Sequence, residues 1–139
     1  SVHGERNFPL RKCPGDLDIG LPDGTADEAY LDAVDTAVAA AITGWSPDLV
    51  LYLAGADPFV GDRLGRLAVT ARGLLERDKR VFAAAGRAGA PLAIVCAGGY
   101  AAAVEETVAI HTATMLLAAG YAEEGFPGSP RGGAGPKTD

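Results

Sequence analysis

Cysteine, histidine, aromatic and basic residues are all scarce in this chain of 139 residues. Cys13 lies in a Pro/Gly loop and Cys96 inside an apolar run, and there are no others. They make neither a disulfide framework nor a C-x-x-C metal pair. Lys and Arg total 12 against 18 Asp and Glu, a net charge of −6. That balance lacks the basic footprint of a nucleic-acid binder. Charges, glycine or proline break every apolar run before membrane-spanning length, so no bilayer partner is expected. No charged, then apolar, then small-residue pattern opens the chain. A signal peptide is therefore not expected, and the cytoplasm is the expected location. No internal repeat is present.

What the chain does have is apolar content, 48% of its residues, enough for one domain with a buried core. Pro9, Pro14 and Pro22, with several glycines, make residues 1–24 irregular, apart from one alternating segment, Asp16-Leu17-Asp18-Ile19, that reads as a half-buried strand. Thr25 and Glu28 have capping-box spacing. Behind them Leu31, Val34, Val38 and Ile42 predict a helix from about Ala26 to Thr43, stopped by Gly44. Residues 48–54 form a nearly continuous apolar run, read as a strand buried on both faces. After a loop through Gly65, Thr70 caps a second helix with Leu74, Leu75, Val81, Phe82 and Ala85 on its apolar side, closed by Gly86 and Gly89. A second buried run follows at 91–97. A third helix, about Ala101 to Ala119, shows Val104, Val108 and Met115 on one face. Residues 1–122 form the domain portion, and the Gly/Pro-rich residues 123–139 read as a disordered tail.

The pattern is α/β: a partial parallel sheet with flanking helices. Two strands make a poor parallel sheet, since buried strands need neighbours on both edges. Ligands of such sheets sit beyond the carboxyl ends of the strands. Asp57 lies just past the first buried strand and Tyr100 just past the second. If the strands are neighbours, a metal-binding carboxylate and a phenol able to donate to an oxyanion share one rim. The bland alternative has Asp57 capping a turn and Tyr100 packing over a glycine bend. Nearby Arg63 and Arg66 could mark an anion site or be solvated charges, with Asp62 turning the loop. A nucleotide site is poorly supported: Gly98-Gly99 lacks the spaced third glycine and no Walker lysine exists.

The segment Leu53-Ala-Gly-Ala-Asp-Pro-Phe-Val-Gly-Asp-Arg-Leu-Gly-Arg-Leu67 resembles the metal-aspartate segment of the histone deacetylase-like family. Ala97-Gly-Gly-Tyr100 resembles that family's catalytic tyrosine motif. Ser1-Val2-His3, Asn7 to Lys12, Asp16 to Ile19 and Leu21 to Leu31 are similar to its bacterial and class IV members. The resemblance covers about residues 1 to 120 and implies the C-terminal portion of an arginase/deacetylase fold. It implies a zinc-dependent deacetylase acting on acetyl-lysine or acetylated polyamines. It makes Asp57 a zinc ligand and Tyr100 the catalytic phenol. Phe8, Gly98 and Gly99 would line the substrate tunnel. Ser1 would serve a structural monovalent-cation site, potassium, to which Val2 gives only a carbonyl.

The departures matter as much. The family holds its zinc with an Asp-x-His segment besides the later Asp, and its general base comes from a His-His pair. Both stand upstream of the position that Ser1 matches. His3 matches the histidine after the cation-site serine and is expected to pack locally. His111 is a lone mid-helix histidine, ordinarily a surface or core residue. One carboxylate does not make a site of three protein ligands. The chain is therefore expected to carry the second half of an active site, to be inactive alone, and to self-associate or pair with a missing N-terminal half. The alternative from another class is a non-catalytic α/β module associating through its open sheet edges.

Overall fold

The computed structural model describes residues 1–9 and 11–124. Its four strands pair in parallel as two ribbons. Strands β1 (Val2–Gly4) and β2 (Ile19–Leu21) form one, and β3 (Val50–Gly55) and β4 (Leu92–Ala97) the other. Helix α1 (Asp27–Val38) leads into a π-helical turn, Ala39–Gly44. Helix α2 (Ala71–Ala88) joins β3 to β4, and α3 (Val104–Glu124) follows β4. The β3–α2–β4 order with parallel pairing is the crossover expected from the sequence. Parallel neighbours need such a connection because the chain must return to the same end of the sheet.

The core is helical on one side of β3–β4. Tyr30, Leu31 and Val34 of α1 meet Leu74, Val81 and Phe82 of α2, and Ile110 of α3 closes the cluster. Thr70 caps α2 as expected, its hydroxyl accepting from Gly73 N at 3.0 Å, and Gly89 ends the helix in the left-handed region at φ 66°.

Several expectations are corrected. β3–β4 is covered on one face only: Leu51 and Leu53 are each 65% exposed and Val95 48%. A run apolar enough for two covered faces has a partner on one. The early strand begins at Ile19, because Asp18 is spent on a turn in which its carboxylate accepts from Gly15 N. It pairs with β1, inside the segment read as irregular. The Thr25 capping box does not form. Thr25 Oγ1 donates to Pro22 O, and α1 starts from Ala26 without a side-chain cap. Helix α3 starts at Val104, and Val104, Val108 and Met115 face outward, whereas Ile110 and Thr114 are buried. The helix extends to Glu124; residues 125–139 of the expected tail lie outside the described residues.

A groove of about 510 Å³ is lined by residues of β1, α1, the π-helical turn and β3. Its lining includes Ser1 and Val2, Tyr30 and Val34 of α1, Val50 to Leu53 of β3, and Asp57.

Candidate active site

β3 and β4 end in register, Gly55 beside Ala97, and Ala56 N donates to Ala97 O at 3.0 Å. Asp57 and Tyr100 therefore leave the same end of the ribbon. The Asp57 carboxylate lies between two glycines. A Cβ on Gly55 would stand 2.6 Å from Asp57 Oδ1, and one on Gly98 2.7 Å from the same atom. No carbon approaches so closely without displacing the carboxylate, so glycine at both positions makes the cradle. Gly98 and Gly99 also take φ of +60° and +107°, which L side chains rarely adopt.

Tyr100 follows this bend with its side chain largely exposed, 56%. Its main chain is held by the loop that begins at Asp57. Asp62 accepts from Tyr100 N with Oδ2, and from Leu64 N and Gly65 N with Oδ1 at 2.8 and 2.7 Å. Arg63 donates to Tyr100 O from its backbone N–H at 3.1 Å and from Nε at 3.3 Å. Asp62 turns the loop as the sequence suggested. Its hold on Tyr100 was missed, as was the role of Arg63, because the partners lie 38 and 37 residues away. Arg66 pairs with Asp23 at 3.2 Å instead.

Beneath the cradle is a buried polar network. Arg77 Nη1 donates to Gly55 O, fixing the last carbonyl of β3. Its Nε hydrogen-bonds Asp78 Oδ1 at 2.9 Å, while Nη2 stands 2.8 Å away as an ion-pair contact without hydrogen-bond alignment. Tyr52 and Thr114 hydroxyls donate to the two Asp78 oxygens. The signal was present: residues 77 and 78 fall on the apolar stripe between Leu74 and Val81, where charges need buried partners. Burial pushes the Asp57 carboxyl above its ordinary range, Asp62 adds to the shift, and Arg77 opposes it. Burial likewise raises Tyr52.

The remaining candidates scatter. His3 Nδ1 meets Ser1 Oγ at 2.9 Å, the local packing expected of it. Phe8 is 90% exposed on the loop after β1, a loop gathered by Lys12 Nζ through the carbonyls of Glu5, Asn7 and Pro9. It does not line the groove beside Asp57. His111 does more than a lone helical histidine was expected to do: Nε2 lies 3.3 Å from Gly98 O, at the bend itself. Both cysteines are free. Among the described residues no group of three or more His, Cys, Asp or Glu is arranged to hold a metal ion. Asp57 is a single carboxylate with room made for it, and by itself it does not make a zinc site.

The histone deacetylase domain model matches residues 8–115. The chain belongs to the histone deacetylase domain family. An uncharacterized protein of Picosynechococcus is 44% identical over 112 residues, covering 81% of this chain and 37% of that protein. A histone deacetylase homologue from Aquifex aeolicus superposes with a TM-score of 0.71 at 21% identity, covering 86% of this chain and 34% of the other. An acetylpolyamine aminohydrolase from Burkholderia pseudomallei gives 0.65 at 23% identity, with 82% and 35% covered. These two likenesses establish the fold, that of the arginase/deacetylase group. The chain thus spans a little over a third of the length of the curated relative. Within the family match fall Asp57, the glycine cradle and Tyr100. No helix among the described residues is long and apolar enough to cross a membrane.

Proposed function

We propose that this chain is the tyrosine-bearing portion of a zinc-dependent deacetylase that cleaves acetyl-lysine or acetylated polyamine amides. The observation that carries this reading is the packing of the Asp57 carboxylate against Gly98, two residues before Tyr100, in a family chain. Asp57 contributes one zinc ligand, and residues outside 1–139 contribute the others together with the general base. Tyr100 directs its hydroxyl at the amide carbonyl, where a donor is worth most as negative charge develops on oxygen. Gly98 and Gly99 leave the approach to that carbonyl open, and Phe8 flanks the acyl chain once the completing segment is in place. Ser1 belongs to a separate structural site for a monovalent cation, potassium. The groove lined by residues of β1, α1 and β3, mostly apolar but with Asp57 and Arg77 among them, receives the completing segment.

The test compares residues 1–139 alone with the polypeptide that also contains the sequence encoded directly upstream of Ser1. Zinc content and acetate release from an acetyl-lysine peptide and from an acetylated polyamine are measured for both. The expected result is no turnover by the shorter chain and zinc-dependent turnover by the longer one. In the longer chain Asp57→Ala abolishes zinc binding. Tyr100→Phe keeps the metal and lowers turnover by about 10²–10³-fold, the usual cost of an oxyanion donor. Turnover by the shorter chain, or none by the longer, overturns the assignment. A second reading, a non-catalytic module that associates through its sheet, is favoured by one observation, the bare apolar face of Leu51, Leu53 and Val95.

A further inference from the structure

We infer that Asp62 is a positioning residue for Tyr100, setting the aim of its phenol through the main chain. This rests on the deacetylase reading above for its catalytic meaning, and on geometry for the rest. A tyrosine side chain can be aimed by packing around the ring or by fixing the backbone that carries it. Among the described residues packing does little, since Tyr100 is 56% exposed. The backbone before it is two glycines, which alone would leave the bend free to swing. Restraint therefore comes from outside the segment.

The Asp62 loop supplies it. One carboxylate receives three backbone N–H groups: Leu64 and Gly65 on Oδ1, which shape the loop, and Tyr100 on Oδ2. Asp62 and Ala101 pair in a single antiparallel bridge, Arg63 donates twice to Tyr100 O, and Ala102 N reaches Gly61 O at 3.3 Å. The loop starts at Asp57, so the same few residues that present the carboxylate hold the tyrosine. An aspartate side chain offers an acceptor oxygen to each side of this arrangement. An asparagine has one acceptor oxygen and a donor amide. It can keep the loop turn or the Tyr100 link, and its NH2 then faces an N–H.

The test uses Asp62→Asn in two settings. In the 139-residue chain, amide hydrogen exchange is read residue by residue. The expected result is exchange at Tyr100 faster by about tenfold or more, with α2 unchanged. In the upstream-extended polypeptide, kcat is expected to fall by about 10- to 100-fold, as misplacing a catalytic group by about 1 Å does. KM and zinc content stay within about twofold. The deciding comparison is the double variant. In the Tyr100→Phe background, Asp62→Asn should cost nothing more, because its effect runs through the missing hydroxyl. A merely structural Asp62 would cost the same in both backgrounds, and that additivity overturns the inference. Unchanged exchange at Tyr100 also overturns it. Absence of turnover in the wild-type extended polypeptide sinks the deacetylase reading instead, and leaves the anchoring to the exchange result.

Discussion

Gly98 carries two constraints that the sequence shows only as a dipeptide of glycines. Its φ of +60° is strained for any L side chain, and a Cβ there would collide with Asp57 Oδ1 at 2.7 Å. Gly98→Ala should therefore destabilise the chain by about 1–3 kcal/mol, the range for a non-glycine residue held in a sparsely populated backbone region. Gly120 is the contrast. It lies within α3, and among the described residues no heavy atom beyond its own stretch of helix comes within 4 Å of a built Cβ. Gly120→Ala should stabilise by about 0.5–1 kcal/mol, because alanine loses less backbone entropy in a helix. Urea denaturation of both variants checks the pair, and equal signs would refute the argument. At this scale the placement of Asp57 and Tyr100 beyond the same end of two parallel strands was legible, since strand-end positions follow from the apolar runs. The Asp62 link to Tyr100 and the His111 contact with Gly98 O were not, because those partners are distant backbone atoms that no local spacing reveals. Arg77 and Asp78 left a trace, as charges on the apolar stripe of α2, but not the identity of their partners.

Elements were legible wherever one periodicity ran without interruption. Helix α2 shows its apolar stripe, its Thr70 cap and its Gly89 stop in sequence, and the structure has all three. Helix α1 was placed correctly but its cap was not. Asp27, in its first turn, accepts from Thr70 N and Thr70 Oγ1, each at 2.7 Å, tying the starts of α1 and α2 together. Long-range ties of this kind override local capping signals. Thr70→Ala removes both the cap to Gly73 and the hydroxyl bond to Asp27, and should cost about 1–2 kcal/mol. Thr25→Ala loses one hydrogen bond to Pro22 O and should cost less, about 0.5–1 kcal/mol. The reverse order in thermal or urea unfolding would restore the capping-box reading. Helix α3 was misread for a different reason. Apolar side chains run almost all round it, so periodicity could not choose a face, and the choice fell to contacts such as Thr114 with Asp78 and Tyr121 with Phe82.

At the scale of the whole molecule the sheet is the part left open. β3–β4 is covered by helices on one face and presents Leu51, Leu53 and Val95 on the other, in cross-strand register at Leu53 and Val95. The outward side of α3 adds Val104, Val108 and Leu116. Clusters of large exposed apolar side chains beside parallel strand edges mark surfaces that meet another chain or segment. The net charge of −6 opposes close approach, but it is spread over the chain and is screened at physiological salt. The 139-residue chain should therefore self-associate when isolated. Light scattering should give a mass above 14.1 kDa that falls on dilution. Joint replacement of Leu51 and Leu53 by lysine should shift the mass toward monomer without changing the helical circular dichroism. Neither side chain belongs to the buried cluster, so the double variant should keep its folding midpoint. A monomer of constant mass across dilution would show that the one-sided sheet is sufficient in water. The fold would then be a self-contained small domain, and the groove beside Asp57 would need no completing segment.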